Sequence, residues 1–233
     1  VYEEERLVAS YADGAHGALD GTPESESRYT YDEEGLLVLE EAESYALGLT
    51  SRIVYEYDGN SRLSVEKHFG FDDSGTQWPT LFFFYEYDEN GLLVLLRELS
   101  EYNKQTEEFQ RHDHLYSFYD ENRLLIREEY VNSAQDDPDT VDKVIEYFYD
   151  SDGLLVRHEV DTGVDGELDV VASYTNNELG LETELKAYRM PENELFWVES
   201  SVYDDVGNLL RYTQEQLAEE YSFFEKFTYE CWE

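Results

Sequence analysis

Hydrophobic and polar positions along the chain alternate in short runs. Ile53, Tyr55 and Tyr57 fall on one side of such a run and Val54, Glu56 and Asp58 on the other, the period-two pattern of an extended strand. The run ends at Asp58-Gly59-Asn60. Asp and Asn bond their own backbone there, and Gly or Asn tolerates positive φ, which is the chemistry of a tight hairpin. A second run then opens on a leucine pair, as in Leu92 to Leu99. In an ideal strand, pairs such as Leu36 and Leu37 or Leu92 and Leu93 point to opposite faces, so both faces are expected to be partly apolar. The chain returns through a longer polar connection, for example Asp72-Asp73-Ser74-Gly75 or Ser133 to Asp139. Helical periodicity is confined to Gln214 to Glu220, a segment that can equally join two strands.

The runs are copies of one motif: aromatic, any residue, Tyr, Asp, two variable residues, Gly or a substitute, then Leu-Leu. Clean copies span Tyr29 to Leu37, Tyr85 to Leu93 and Tyr147 to Leu155. Variants begin at Tyr55, Phe118 and Val202, and a weak copy runs from Tyr174 to Leu181. Truncated copies stand at Tyr2 to Val8 and Phe227 to Glu230. With the Asp position as anchor, units start near residues 3, 32, 58, 88, 120, 150, 177 and 204, with a last partial copy at 227–233. The spacing of 26 to 32 residues leaves no space for a separate domain, so residues 1–233 read as a single array. Two strands per unit predict an all-β antiparallel meander of about 15 or 16 strands. A sheet of that size is expected to curl into a shell, a superhelix or a rolled barrel.

The residue before each anchor forms a column: Tyr31, Tyr57, Tyr87, Tyr119, Tyr149, Tyr203 and Tyr229, with Tyr2 and Asn176 at equivalent places. Such an aromatic ladder holds neighbouring strands together. Tyr suits a half-wet face, where its ring packs and its hydroxyl reaches water or a neighbour. A stacking platform for a sugar or other ligand is the second use of the same column.

The motif resembles the YD repeat of the RHS (rearrangement hotspot) and teneurin-like proteins, Tyr-x-Tyr-Asp-x-x-Gly-Arg-Leu. The likeness is closest at Tyr29 to Leu37, Tyr55 to Leu63, Tyr85 to Leu93 and Tyr147 to Leu155. The units here are divergent and longer, and the Arg before Leu is kept at Arg62, with Arg6 and Arg123 one place earlier. The resemblance implies an extracellular antiparallel sheet that spirals into a shell and serves surface recognition, adhesion or enclosure.

Charge narrows the partners. The chain holds 56 acidic and 16 basic residues, a formal net charge of −40. Such a polyanion repels phosphate, so nucleic acid is excluded as a partner, and anionic membrane surfaces are disfavoured. Salt or divalent cations are needed to screen the self-repulsion, which fits a saline or calcium-containing exterior. No run approaches the roughly 18 apolar residues of a membrane-spanning helix, so no membrane insertion is expected. The start at Val1-Tyr2-Glu3 has no signal-peptide character and no Met, and reads as a mature or trimmed secreted product. The one cysteine, Cys231, rules out an internal disulfide framework. It reads as a small half-buried apolar residue or as a link to another chain.

Candidate metal ligands are few. His112 and His114 are two apart on a strand and share a face, a possible zinc pair. Calcium prefers oxygen ligands on acidic loops, and two loops qualify: Asp136, Asp137 and Asp139 with Asp142, and Asp161, Asp165, Glu167 and Asp169. Gly-x-Ser-x-Gly, phosphate-loop and His-Glu-x-x-His motifs are absent, and no catalytic residue is nominated. The expected role is a secreted or cell-surface, non-enzymatic structural protein that self-assembles, such as a filament or sheath subunit. The alternative is an adhesion module that recognises a glycan or protein through its aromatic face.

Overall fold

The computed structural model describes residues 2–3, 6–12, 25–44, 48–72, 74–132, 140–217 and 222–227. Strands β1 (Tyr2–Glu3) and β2 (Arg6–Leu7) pair with each other. They are followed by β3 (Ala9–Ala12), β4 (Ser25–Tyr31), β5 (Leu37–Ser44), β6 (Gly48–Tyr57), β7 (Leu63–Phe71), β8 (Gln77–Tyr87), β9 (Leu93–Asn103) and β10 (Glu108–Tyr119). The remainder are β11 (Leu125–Asn132), β12 (Val141–Tyr149), β13 (Leu155–Thr162), β14 (Val170–Asn176), β15 (Glu182–Arg189), β16 (Glu194–Tyr203), β17 (Leu209–Leu217) and β18 (Ser222–Phe227). The hydrogen-bonded order from β3 to β18 is the chain order. This is the all-β meander the repeat predicts. The order is linear and does not close, so the rolled barrel, one of the expected outcomes, is not formed. Gln214 to Leu217 belong to β17 and not to a helix.

The chain forms two compact units, Val1–Leu115 with Asn132–Pro138, and Tyr116–Val131 with Asp139–Glu233. In the first unit β4 to β9 are three complete hairpins, each pairing antiparallel with the next. In the second, β11 to β18 continue the same pattern.

The anchor aspartate makes the turn. The Asp88 N–H donates to the Leu92 carbonyl at 2.9 Å, and the Gly91 N–H donates to the Asp88 carbonyl at 3.1 Å. Asp88 Oδ1 accepts from the N–H groups of Asn90 and Leu92 at 2.9 and 2.8 Å. Gly91 stands at φ +82°, and the register slips between Glu86 and Tyr87 so that Tyr87 faces Leu93. This is a three-residue hairpin loop that ends in a bulge with a left-handed residue. The same backbone bonds recur at Asp32, Asp58, Asp120, Asp150, Asn177 and Asp204. They also recur at Asp72, where Oδ1 accepts from Ser74 and Thr76. The sequence predicts a longer polar connection at Asp72 to Gly75. Its aspartate instead closes the opposite end of a hairpin with the same loop.

The left-handed position of the turn favours glycine, although Ser61 and Arg123 also occupy it. Gly75 has φ +77° and no atom within 4 Å of where a Cβ would lie, so Gly75→Ala isolates the backbone cost. The substitution should destabilise by about 1 kcal/mol, and Ser61→Gly should act in the opposite direction. Ser61 is a non-glycine residue at φ +59° in the equivalent place. Denaturant midpoints check both, and an unchanged Gly75→Ala midpoint counts against the φ argument.

The leucine pair does not divide between two strand faces as expected. The first leucine closes the turn and rests on the next one. A methyl group at Gly180 would lie 3.4 Å from Leu154 Cδ2, and one at Gly207 3.3 Å from Leu181 Cδ1. The second leucine opens the strand opposite the ladder position, as Leu93 does against Tyr87.

Packing is spread thinly. Among the described residues the buried hydrophobic side chains are Ala9, Val131, Val144, Ala172 and Ala187, and no large side chain is fully buried. Among the described residues most large side chains are half-buried on a sheet face. One face carries tyrosines; the other carries ion pairs.

Candidate functional site: the tyrosine face

At five anchors the residue just before the aspartate or asparagine fastens its hairpin to the one before it. Tyr57, Tyr87 and Tyr149 donate their hydroxyls to the carbonyls of Leu37, Leu63 and Leu125 at 2.8, 2.8 and 2.7 Å. Tyr31 does the same to Leu7 at 2.9 Å. Each acceptor is the leucine beside the preceding turn, 20 to 24 residues back. Where the column holds Asn176, its Nδ2 donates to Leu155 at 3.1 Å, so the ring is lost and the strap is kept. Tyr119 and Tyr203 occupy the equivalent place before Asp120 and Asp204, while Tyr229 lies outside the described residues. Burial pushes the hydroxyls of Tyr57, Tyr87 and Tyr149 above their ordinary pKa.

Arg62 lies over the Tyr87 ring at 4.6 Å, and Arg6 lies over the Tyr31 ring at 5.7 Å. Arg6 therefore fills the place of Arg62, although the sequence sets it one position early. The first hairpin pairs Glu3 directly with Arg6, so its turn is shorter by a residue.

A second tyrosine column, two residues further from the turn, meets carboxylates. Tyr85 donates to Glu66 Oε2 at 3.2 Å and Tyr147 to Glu128 Oε2 at 2.5 Å, while Tyr55 bonds Glu40. The Tyr174 hydroxyl meets His158 Nδ1 at 2.7 Å. Glu40, Glu66, Glu128 and His158 all stand eight residues beyond an anchor. Where that position is leucine, at Leu185, the next hairpin carries Ser201 in place of tyrosine. Polar partners and sizes are thus matched from one hairpin to the next. Burial, with the nearby carboxylates, raises Tyr55, Tyr85 and Tyr174 to about 12. Tyr212, beside Glu199, is also raised to about 12. Glu182 is pushed up by burial and by Glu199, and burial pushes His158 down. Only the tyrosine before each anchor was singled out from the sequence. The signal for the second column is the residue type eight positions after the anchor.

The opposite face is different in kind. There Arg52 pairs with Glu41, Arg97 with Glu86, Arg127 with Glu129 and Glu146, Arg157 with Glu159, and Lys186 with Glu184.

The acidic-loop candidates are placed as follows. Asp161 Oδ2 accepts from the Gly166 N–H at 3.1 Å, Asp165 Oδ1 from Glu167 at 2.9 Å and Asp169 Oδ2 from Thr162 at 2.6 Å. These oxygens hold the loop itself. Asp136, Asp137, Asp139 and Cys231 lie outside the described residues. His112 and His114 lie on β10, and His112 Nε2 is 3.3 Å from the Phe109 carbonyl. Among the described residues no three His, Cys, Asp or Glu side chains form a group fit to hold a metal.

The anchors also set an acid limit. Hydrogen bonds to Arg62, Ser74 and Asn208 hold Asp58, Asp72 and Asp204, respectively, below the usual carboxylate range. A folded pKa below the unfolded value near 3.9 means a contribution that is complete above that value and lost as pH falls through the folded one. Asp204→Asn keeps the acceptor, as Asn177 does natively at 3.0 Å to Leu179 and Leu181. The variant should show a shallower loss of stability than the wild type below about pH 4. Identical slopes in acid denaturation curves would refute the assignment.

No known protein-family profile matches the chain, and no curated protein does. Solved structures give weak likenesses. A crystal structure of TcdB2-TccC3 without its hypervariable C-terminal region is 16% identical, covers 86% of this chain and has a TM-score of 0.49. A mutant Tc holotoxin pore of Photorhabdus luminescens is 15% identical over 95% of the chain, with a TM-score of 0.38. A porin-like protein from Bacteroides uniformis is 11% identical, covers 87% of this chain and 86% of its own, with a TM-score of 0.45. The present chain spans 9% and 14% of the two toxin chains. The repeat itself rests on the chain's own turns and straps.

Proposed function

We propose that this chain is a non-enzymatic structural repeat of a secreted or cell-surface protein, akin to YD-repeat arrays, that assembles through its sheet. The observation that carries this reading is the strap. Tyr31, Tyr57, Tyr87 and Tyr149 each depend for their acceptor on the hairpin before, a bond that serves architecture. The linear strand order supports assembly, since strands at the ends of a sheet offer edges to a further strand. With a charge of −40, association needs screening. Sedimentation velocity over a salt and calcium series should show growing particles as ionic strength rises. A particle that stays monomeric throughout overturns the assembly role.

The half-exposed tyrosine face favours a second reading, a recognition surface for a glycan or protein. A panel of immobilised glycans and proteins tests it, and a panel without binders removes it.

A further inference from the structure

The two faces of the second unit differ in how their carboxylates are compensated. On the ion-pair face, Glu129 and Glu146 meet Arg127 at 2.8 and 3.0 Å, and Glu184 meets Lys186 at 2.6 Å. On the tyrosine face, Glu128 is met by the hydroxyl of Tyr147, and Glu199 Oε1 accepts from Trp197 Nε1 at 2.9 Å. Neutral donors therefore solvate these charges without cancelling them. Strand register puts the groups together. Glu128 faces Ile145 two residues before Tyr147, Tyr174 faces Leu185, which faces Glu199, and Tyr212 faces Ser201. All are half-buried.

The chain's own cations show what such a surface accepts. Lys143 Nζ sits 3.7 Å from the centre of the Tyr130 ring, and Arg189 lies 4.9 Å from that of Phe196. An ammonium over a tyrosine ring, with a carboxylate two residues away along the strand, is a favourable cation–π arrangement strengthened by charge.

We infer that the tyrosine face of the second unit docks a lysine-rich extended segment of a partner protein, its ammonium groups set over Tyr147, Tyr174 and Tyr212 beside Glu128, Glu182 and Glu199. The inference rests on reading this face as a recognition surface and adds the chemistry of its partner. A second copy of this chain is a poor occupant, because it carries the same charge of −40.

The probe is dye-labelled oligolysine at near-physiological salt, with binding read by anisotropy. A variant with Glu128→Gln, Glu182→Gln and Glu199→Gln keeps one acceptor oxygen at each position and removes the charge. Its control carries Asp152→Asn, Glu178→Gln and Asp205→Asn at exposed turns, for the same change in net charge. The face variant should weaken binding about tenfold or more, and the control about twofold or less. Equal weakening in both overturns the inference, because attraction is then general to the polyanion. The change in tryptophan emission that is lost in Trp197→Phe reports on the face directly. If neutral glycans or acidic proteins produce it and oligolysine does not, the recognition surface stands and its cationic partner is refuted. If no probe produces it, the recognition reading fails as well.

Discussion

Raising the pH from about 10 to about 12 should unfold the sheet in one cooperative step, with tyrosines and strands lost together. Tyr55, Tyr85, Tyr174 and Tyr212 stand at about 12 in the fold, against an unfolded value near 10. The folded pKa lies above the unfolded one, so the fold holds the neutral phenol. That contribution is complete below the unfolded value and is lost as pH rises through the folded one. Deprotonation is doubly adverse here. Tyr85 donates to Glu66 and Tyr147 to Glu128, so a phenolate would face a carboxylate in place of accepting contact. The straps fail too, since Tyr57, Tyr87 and Tyr149 can no longer donate to leucine carbonyls. Each lost proton also adds to a charge already at −40. Phenolate absorbance and far-ultraviolet circular dichroism, followed on one sample, should change at the same pH. Phenols that titrate near 10 while the strand signal persists would show that these hydroxyls are not held by the fold.

The second large effect is expected at Tyr87. Its hydroxyl donates to Leu63 at 2.8 Å and Arg62 lies over its ring at 4.6 Å. Tyr87→Phe removes the strap alone and should cost about 1 kcal/mol. Tyr87→Ala removes strap, ring and cation contact, and should cost about 3 kcal/mol, the lower end for an aromatic truncation because the site is half-buried. Urea midpoints of the two variants measure the difference. Equal midpoints would mean that the ring carries nothing and the ladder is held by its hydroxyls. A silent Tyr87→Phe would remove the strap from the account of stability.

These dependencies explain how far the chain could be read in one dimension. The turn at Asp88 is closed by bonds that span four residues, so its chemistry lies within a short window of sequence. The same holds for the strand alternation around Tyr55 and Tyr57. The Asp72 turn uses identical bonds, yet lacks the preceding tyrosine and the leucine pair, so the motif did not reveal it. Straps from Tyr57 to Leu37 cross 20 residues and depend on which carbonyl a neighbouring hairpin presents, a matter of register. The match of Glu128 with Tyr147, or Leu185 with Ser201, likewise exists only once strands are laid side by side. Arg6 was misplaced because a shorter turn shifts its count without shifting its place. The acidic loops show the limit of composition. Asp161, Asp165 and Asp169 each place one oxygen on a backbone N–H of their own loop while Asp161 Oδ1 is buried without a partner, an arrangement that spacing alone does not reveal.

Straps that reach only the hairpin just before, as from Tyr57, Tyr87 and Tyr149, make the array's length a free variable. Excising residues 150–176 would join Tyr149 to Asn177, a residue that closes the same turn as Asp150, and would leave the strap from Tyr149 to Leu125 in place. Duplication or loss of whole hairpins thus changes the reach of the protein without asking any surviving residue to adopt a new conformation.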